Sequence, residues 1–346
     1  MEYSVNQPLD TRPVVGRLAP APTGALHLGN ARTFLIAWLQ ARMNAGSLIL
    51  RLEDLDHPKV KPGAAGEAYR DLAWLGLDWD KGPDESFSGS GKSSGSGDDY
   101  VQSLNMPLYA AALERLRKDG LCYPCICGRK ELEDMQSAPN AGSDMLEKRY
   151  PGVCRDRFPD PDSARTAAKG REPGWRFRID DAALSVFNDG FHGRQESRLG
   201  DWSGDFLIAR GDKASYQLAV VVDDARMNVS VVVRGDDLLP STHRQLALYH
   251  ALELTPPAFF HIPLVVGADG RRLAKRHGDS RLSPLRIRGD SPERVLGWLA
   301  WSCGWSGGTL RETSLDEIRR SADLTLIPKQ RIQVTAEHLD WLGMYR

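Results

Sequence analysis

The chain lacks the features of membrane and secreted proteins. In its 346 residues, no apolar run approaches the roughly 18 residues of a membrane-spanning helix. Residues 1–13 are polar and lack the apolar stretch of a secretory signal. We therefore expect a soluble, cytoplasmic protein that has no membrane partner, and we expect it to be a monomer.

The chain also lacks a surplus of either charge. Its 45 basic and 46 acidic residues leave a formal net charge of −1. Proteins that bind nucleic acid over a broad surface usually show a basic surplus, so any RNA contact here must be local. The length is sufficient for one large domain or for two ordinary domains.

Cysteine is scarce, and its few positions are clustered. Four of the five cysteines lie in residues 122–154. An odd, clustered set favours metal ligation in a reducing compartment over a disulfide framework.

Zinc takes four thiolate, imidazole or oxygen ligands in a tetrahedron. No histidine lies between Cys127 and Cys154, so the fourth ligand must be of another type. Two sets remain open, which are Cys125, Cys127 and Cys154 with either Tyr150 or Cys122. Because tyrosinate is an uncommon ligand, the chemistry alone favours Cys122.

The N-terminal part has the pattern of a nucleotide-binding α/β unit. Residues 14–19 predict a short buried strand, and residues 48–52 predict a second one. Between them, apolar residues at positions i, i+3, i+4 and i+7 predict a helix that ends near Gly46. Strand, helix and strand in this order predict a parallel sheet, whose strand ends are the usual place for a ligand.

The sheet pattern is interrupted and then returns. Residues 216–222, 229–233 and 259–266 predict further strands, the last of them before a turn at Asp269-Gly270. Residues 242–245 have the capping-box spacing of a helix start. We therefore predict four parts. Residues 1–106 form the first half of a nucleotide-binding domain, with a flexible insertion at 86–97, and residues 201–262 form its second half. Residues 107–200 form an inserted subdomain, and residues 263–346 form a basic loop with a helical C-terminal region.

Three segments carry the candidate chemistry. His27, Gly29 and Asn30 precede the first predicted helix, where phosphate binding is favoured and His27 could donate to a phosphate oxygen. Residues 51–56 place three carboxylates after the second predicted strand, where one of them could bind an ammonium group. Residues 272–276 place two arginines and a lysine on a loop that could neutralise a leaving pyrophosphate.

Together these segments resemble the glutamyl and glutaminyl class I tRNA synthetases. Residues 17–30 read Arg-Leu-Ala-Pro-Ala-Pro-Thr-Gly-Ala-Leu-His-Leu-Gly-Asn, similar to the family's opening signature, Arg-Phe-x-Pro-Ser-Pro-x-Gly-x-Leu-His-x-Gly. The family's serine is Ala21 here, so a hydroxyl contact to the amino acid is missing at that site. Residues 51–56 match the second signature, Arg-x-Glu-Asp-x-Asp.

The basic loop resembles the third signature, Lys-x-Ser-Lys-x, with two departures. Lys275 is retained, but Arg272 replaces the first lysine and Ala274 replaces the serine. Arginine preserves the charge of lysine but not its compact ammonium geometry. We expect the chemistry to survive if Lys275 supplies most of the stabilisation.

The resemblance implies a Rossmann-type class I synthetase catalytic domain with an inserted zinc-containing subdomain and a short helical C-terminal region. It implies an enzyme that activates L-glutamate with ATP and Mg²⁺, with His27 and Lys275 as the catalytic groups. The two arginines of the glutamate site would bind the two carboxylates, and Glu53 would bind the ammonium group. The implied ATP-binding residues are His27, Gly29, Asn30, Arg272 and Lys275. The implied glutamate-binding residues are Arg17, Ala19, Ala21, Glu53, Tyr216 and Arg234.

A narrower resemblance concerns the truncated glutamyl-Q tRNA(Asp) synthetases of this family. Cys-x-Cys followed by Tyr-x-x-x-Cys is similar to their zinc site, which implies one structural Zn²⁺ on Cys125, Cys127, Tyr150 and Cys154. The residues after Arg276 are also too few for the anticodon-binding domain of a full glutamyl-tRNA synthetase. The resemblance implies glutamyl transfer to queuosine in the anticodon of tRNA-Asp. Three alternatives stay open: an enzyme that charges a tRNA 3′ end, a nucleotidyltransferase of another pathway, and a catalytically weak zinc RNA-binding paralogue.

Overall fold

The computed structural model describes residues 2–5, 12–22, 24–55, 60–83, 99–128, 149–271, 273 and 280–344. The helices in these ranges are α1 (Leu28–Met43), α2 (Ala64–Trp74), α3 (Met106–Lys118), α4 (Pro161–Ala167), α5 (Leu199–Trp202), α6 (Tyr216–Arg226), α7 (Leu239–Ala251), α8 (Ser283–Arg288), α9 (Glu293–Ser302), α10 (Leu315–Ser321) and α11 (Ala336–Trp341). The strands are β1 (Glu2–Val5), β2 (Val15–Leu18), β3 (Ser47–Leu50), β4 (Cys122–Cys125), β5 (Gly174–Phe177), β6 (Leu184–Asp189), β7 (Gly193–Arg198), β8 (Phe206–Arg210), β9 (Lys213–Ala214), β10 (Val231–Gly235), β11 (Ala258–Ile262), β12 (Val265–Val266) and β13 (Ile332–Gln333).

A parallel sheet forms the centre of the molecule. Strand β2 pairs with β3, and β10 pairs with β11, both in parallel. The two pairs meet side by side, because the Ser230 amide donates to the Val15 carbonyl at 2.9 Å and the Arg17 Nη1 donates to the Val233 carbonyl at 2.9 Å. The strand–helix–strand prediction for the N-terminal part is therefore confirmed, and the returning strand near residue 231 completes the same layer.

Helix α1 is buried along most of its length between the sheet and the C-terminal helices. Its Arg32 is only 1% exposed. The Arg32 Nη1 donates to the Pro263 carbonyl at 2.8 Å and its Nη2 to the Ser302 carbonyl at 3.4 Å. Ser302 ends α9, where helical carbonyls lack partners of their own. This buried cation therefore joins α1 to the C-terminal region.

Two further sheets flank the centre. Strands β4, β5, β8 and β9 form an antiparallel sheet in that order. Strand β6 pairs in parallel with β1 and in antiparallel fashion with β7. The end of β6 meets the central sheet, since the Gly190 amide donates to the Phe259 carbonyl at 2.8 Å. A Cβ at Gly190 would lie 2.0 Å from the Phe260 ring, so this junction requires glycine.

Three local predictions are wrong. Residues 216–222, predicted as a strand, belong to helix α6, because a short apolar run that is buried on all sides has no period that separates strand from helix. Residues 242–245, predicted as a helix start, lie inside α7, which begins at Leu239 with Pro240 in its first turn. Residues 259–266 form two strands, β11 and β12, which flank Pro263, a residue without an amide donor.

The turn at Asp269-Gly270 is present, but it does not close a hairpin in the described part of the chain. The Gly270 amide donates to the Gly267 carbonyl at 2.9 Å. Strand β12 pairs in parallel with β13. Among the described residues, no helix has the length and apolarity that crossing a bilayer requires. The predicted insertion at 86–97 lies outside the described residues, and the fourfold division of the chain stays a prediction.

Candidate functional site

A cleft opens at the carboxyl ends of β2, β3 and β10. It consists of an outer chamber of about 840 Å³ and an inner recess of about 140 Å³, which share part of their lining. The predicted binding residues that lie within the described ranges meet here. They are Arg17, Ala19, Ala21, His27, Gly29, Asn30, Glu53, Tyr216 and Arg234. Arg272 and Lys275 lie outside the described residues.

His27 caps the N-terminus of α1. Its Nδ1 accepts from the Gly29 amide at 3.1 Å, and its own amide donates to the Asn30 Oδ1 at 3.2 Å. With Nδ1 as the acceptor, the neutral ring carries its proton on Nε2. A Cβ at Gly29 would lie 3.0 Å from the His27 ring, so glycine here makes room for the imidazole. The cap thus places the imidazole at the positive end of the α1 dipole, where phosphate binding is favoured.

The described residues that follow the predicted basic loop lie against this cap. The Leu28 amide donates to the Ser280 carbonyl at 3.1 Å, and the Leu282 amide donates to the Leu26 carbonyl at 2.9 Å. His27 and Arg281 form an antiparallel bridge between these bonds. The chain that follows the predicted basic loop is therefore fixed beside His27.

Arg17 is a buried cation with few partners. Its side chain is 5% exposed, and its one hydrogen bond to a described residue runs from Nη1 to the Val233 carbonyl. Its Nε is buried without a partner among the described residues, and no described carboxylate forms an ion pair with it. Burial lowers the pKa of Arg17. A carboxylate bound in the cleft would supply the missing acceptor.

Arg234 is also buried, but four neutral groups hold it. Its Nε donates to the His261 Nε2 at 3.0 Å, and its Nη2 donates to the Thr242 Oγ1 at 2.6 Å and to the Gln245 Oε1 at 2.8 Å. Its Nη1 donates to the Tyr216 hydroxyl at a longer 3.4 Å. No carboxylate among the described residues neutralises it, so the cleft contains two guanidinium groups suited to an anion with two carboxylates.

Glu53 supplies the opposite charge in the same cleft. The Arg51 Nη2 donates to the Glu53 Oε1 at 2.9 Å, and the Arg51 Nη1 donates to the Asp224 Oδ1 at 2.6 Å. Although burial opposes its charge, the carboxylates of Asp224 and Glu53 raise the pKa of Arg51. Glu53 lines both parts of the cleft, where a carboxylate suits the ammonium group of a ligand.

The cysteine cluster lies apart from the cleft. The sulfurs of Cys125, Cys127 and Cys154 all lie within 4.8 Å of one another. The Tyr150 hydroxyl lies 3.5 Å from the Cys125 sulfur and 3.6 Å from the Cys127 sulfur. In a zinc tetrahedron with bonds of about 2.3 Å to sulfur and 2.0 Å to oxygen, sulfur and oxygen ligands lie about 3.5 Å apart. The four side chains therefore fit a zinc ion.

Cys122 lies on the other side of strand β4. Residues three apart in a strand face opposite ways, so Cys122 and Cys125 cannot share a metal without distortion. Cys122 packs in the apolar cluster of α3 and β5 instead, and burial raises its pKa to about 12. The geometry favours Tyr150 over Cys122 as the fourth ligand.

Sequence reasoning missed Arg176, which contacts two of the candidate ligands. Its Nε donates to the Cys125 sulfur at 3.2 Å, and its guanidinium carbon lies 3.6 Å above the Tyr150 ring. Hydrogen bonds from Cys127 and Cys154, with Arg176 nearby, lower the pKa of the Cys125 thiol. Strand β5 carries Arg176 to the cluster by pairing with β4, a contact for which no local pattern in the sequence gives a signal.

Comparison with known proteins gives a consistent result. Residues 13–341 match the family of class I tRNA synthetases (E and Q), catalytic domain. A glutamyl-Q tRNA(Asp) synthetase of Symbiobacterium thermophilum is 46% identical over 323 residues, which cover 93% of this chain and 96% of that protein. A glutamyl-Q tRNA(Asp) synthetase of Rhodopirellula baltica is 42% identical over 346 residues, 96% of this chain and 94% of that protein.

Longer proteins match as well. Glutamate–tRNA ligase 2 of Syntrophus aciditrophicus is 41% identical over 335 residues, and the match covers 96% of this chain but 66% of that protein. Among solved structures, the glutamate–tRNA synthetase of Elizabethkingia anophelis superposes with a TM-score of 0.77 at 26% identity, over 96% of this chain and 70% of that one. The family match and the structural match thus indicate the same family and the same fold.

Proposed function

Because the chain belongs to the glutamyl and glutaminyl class I tRNA synthetases and is therefore a ligase of that group, we propose that it activates L-glutamate with ATP and passes the glutamyl group to queuosine in the anticodon of tRNA-Asp. The observation that carries the proposal is the pair of buried arginines, Arg17 and Arg234, without carboxylate partners in the described chain, opposite Glu53 in one cleft.

The charges of the cleft match those of free glutamate. Arg17 and Arg234 would bind its two carboxylates, and Glu53, held by Arg51, would bind its ammonium group. Tyr216 and Ala19 form walls of the same recess. Glutamine would leave one guanidinium facing an amide, and a buried charge that lacks its partner is costly.

ATP would bind beside the α1 N-terminus. His27, Gly29 and Asn30 would contact its phosphates, and the α-carboxylate of glutamate would attack the α-phosphorus with loss of pyrophosphate. Lys275 and Arg272, with Mg²⁺, would offset the charge on the leaving group. Lys275 lies five positions before Ser280, whose carbonyl accepts from the Leu28 amide. Five positions span at most about 18 Å, so Lys275 can reach the cleft.

A structural Zn²⁺ is proposed on Cys125, Cys127, Tyr150 and Cys154. When bound, it would cross-link the end of β4 to residues 150–154 without entering the chemistry. Arg176 would offset part of the negative charge of three thiolates and a phenolate. The cytoplasmic location and the monomeric state are proposed on the same family grounds.

One second candidate has specific support. The match to glutamate–tRNA ligase 2 of Syntrophus aciditrophicus, at 41% identity, favours an enzyme that charges a tRNA 3′ end. The glutamyl-Q relatives match over nearly their whole length, which favours transfer to queuosine. Both candidates share the same activation step.

Two measurements test the proposal. ATP–pyrophosphate exchange is measured with each amino acid, with and without total tRNA, and we expect glutamate to support it. Glutamyl transfer is then compared between tRNA-Asp that carries queuosine and tRNA-Asp that lacks it. Transfer to both tRNAs, or to other glutamate-accepting tRNAs, would replace the queuosine proposal with 3′-end charging. Exchange with none of the amino acids would overturn the activation step.

A further inference from the structure

A buried carboxylate, Asp189, and a buried imidazole, His261, form a hydrogen-bonded line that ends at Arg234. The Asp189 Oδ2 accepts from the His261 Nδ1 at 2.6 Å, and the His261 Nε2 accepts from the Arg234 Nε at 3.0 Å. Asp189 is 3% exposed and His261 is fully buried, and neither belongs to the lining of the cleft. The line runs from the end of β6 through β11 to β10, so three strands contribute one residue each.

Asp189 is held firmly at the far end of this line. Its Oδ1 accepts from the Phe191 and His192 amides at 3.0 and 2.9 Å, and its Oδ2 also accepts from the His261 amide at 3.1 Å. Although burial opposes the charge, the hydrogen bond from His261 lowers the pKa of Asp189. An ionised acceptor on that side places the ring proton on the His261 Nδ1 and leaves Nε2 as an acceptor.

The imidazole of His261 is a neutral acceptor, so it orients the Arg234 guanidinium without cancelling its charge. Burial lowers the pKa of His261 to about 4, so the imidazole is uncharged near neutral pH. It accepts a hydrogen bond from the guanidinium without cancelling its charge, and it keeps the Asp189 carboxylate one ring away. A carboxylate in direct contact would neutralise Arg234 and compete with an anionic ligand.

Together the neighbours leave one end of the guanidinium for the substrate. His261 occupies Nε, and Thr242 and Gln245 occupy Nη2. Nη1 has the Tyr216 hydroxyl at 3.4 Å, and both residues line the inner recess. We propose that Asp189 and His261 are positioning residues that aim the Arg234 Nη1 into the recess and thereby set selectivity for an amino acid with a second carboxylate. This inference rests on the proposed activation of glutamate.

The chain offers a matched control for a purely structural role. His243 is also buried, at 4% exposed, and burial lowers its pKa to about 4. It hydrogen-bonds the Ser185 hydroxyl at 2.9 Å and contacts the same Phe187 ring, at 5.1 Å against 6.3 Å for His261. Its described hydrogen bonds do not reach Arg234, so its replacement disturbs the packing without disturbing the guanidinium.

The test compares His261→Asn, His261→Gln, Asp189→Asn and His243→Asn in ATP–pyrophosphate exchange with full-length enzyme, over a range of glutamate concentrations. Because a hydrogen bond to a charged group is lost, we expect His261→Asn to raise the KM for glutamate about tenfold or more, with a smaller change in kcat. The kcat/KM ratio of glutamate over glutamine should fall by a similar factor. Asp189→Asn should act in the same direction, and His243→Asn should leave the KM within about twofold.

His261→Gln serves as the rescue variant. Its Oε1 can accept from Arg234 where the imidazole Nε2 did, while Asn is too short to do so, so part of the KM loss should be recovered. Melting temperatures accompany each assay, and if His261→Asn fails to fold, Asp189→Asn and His261→Gln decide the question.

The outcomes separate this inference from the proposed function. Wild-type exchange with glutamate, together with an unchanged KM in folded His261 and Asp189 variants, overturns the positioning role alone. An equal rise in KM in His243→Asn would also overturn it, because the effect would then follow packing. Wild-type exchange only with amino acids that lack a side-chain carboxylate overturns the proposed function and this inference together.

Discussion

Two buried arginines, Arg234 in the cleft and Arg176 beside the cysteine cluster, meet different neighbours. Arg234 donates to an imidazole, a hydroxyl and an amide, and no described carboxylate or thiolate opposes its charge. Arg176 donates to the Cys125 sulfur and lies over the Tyr150 ring, among the groups that would carry the negative charge of a metal site. In the proposed function, the Arg234 cation binds a ligand, whereas the Arg176 cation would stabilise a metal site of the protein itself.

The difference shows that the neighbours of a buried cation determine whether its charge remains available to a ligand. A neutral shell leaves the electrostatic attraction of Arg234 to whatever enters the recess. Beside the cysteine cluster, the thiolates of the proposed metal site would use the attraction of Arg176 inside the structure. Residue type alone does not distinguish these two cases, because both side chains are buried arginines.

The largest effect is expected from Arg234→Lys. Lysine keeps the charge but cannot donate to His261, Thr242 and Tyr216 at once. We expect kcat/KM for glutamate in ATP–pyrophosphate exchange to fall about 100-fold or more, since more than one hydrogen bond to a charged group, each of about 1.5–3 kcal/mol, is lost. Arg176→Lys is the control, and it should lower the melting temperature with no change in the KM for glutamate. Similar kinetic losses in both variants would remove the contrast.

The next effect concerns the metal. Cys154→Ser should lose the bound zinc and lower the melting temperature by about 3–4 °C, the shift for a loss of about 2–3 kcal/mol in a chain of 346 residues. Zinc is measured by elemental analysis of the purified protein. Cys122→Ser should keep one zinc per chain, because Cys122 lies on the opposite face of β4. Loss of zinc in Cys122→Ser with retention in Tyr150→Phe would reverse the choice of ligand.

A moderate effect is expected from acid. Burial lowers the pKa of His261 and His243 from 6.5 to about 4, so the unfolded chain takes up these protons before the folded protein does. Stability should therefore fall as the pH drops from 6.5 to 4, with each histidine contributing up to about one proton to the slope. The melting temperature is measured from pH 7 to pH 4.5, and His243→Asn should show a shallower decline. An unchanged slope would mean that the histidine titrates normally.

The smallest effect is expected from Ala21→Ser, which restores the family's serine. Ala21 lines the outer chamber and is exposed, so a new hydroxyl replaces water and not a missing partner. We expect the KM for glutamate in ATP–pyrophosphate exchange to change by less than about fivefold, in line with a neutral hydrogen bond of about 1 kcal/mol. A decrease of a hundredfold would show that this position belongs functionally to the recess.

The local parts of both regions could be predicted from the sequence. His27, Gly29 and Asn30 lie within one turn of α1, and the helical period of residues 31–38 identified that helix. The cysteines are close in sequence, which makes a shared site inexpensive to close. The alternation of β4 then distinguishes Cys122 from Cys125, but the sequence alone did not define β4 as a strand.

The remaining parts could not be predicted because they depend on long-range pairing. Asp189 and His261 are 72 positions apart, and Arg176 is 51 positions from Cys125, with no shared pattern to connect them. Tyr216 lines the recess, but it belongs to a helix where the sequence predicted a strand, since Leu218–Val221 is apolar on every side. Burial from all directions removes the period on which such predictions rely.

The main-chain bonds between Leu26–Leu28 and Ser280–Leu282 have a consequence for sequence variation. Backbone groups hold this junction, so its formation does not depend on which side chains occupy residues 272–279. Evolution can therefore exchange lysine for arginine at 272 and serine for alanine at 274 while the downstream attachment beside His27 stays where it was. The side chains of the predicted basic loop can therefore vary while the position of its downstream attachment beside His27 does not change.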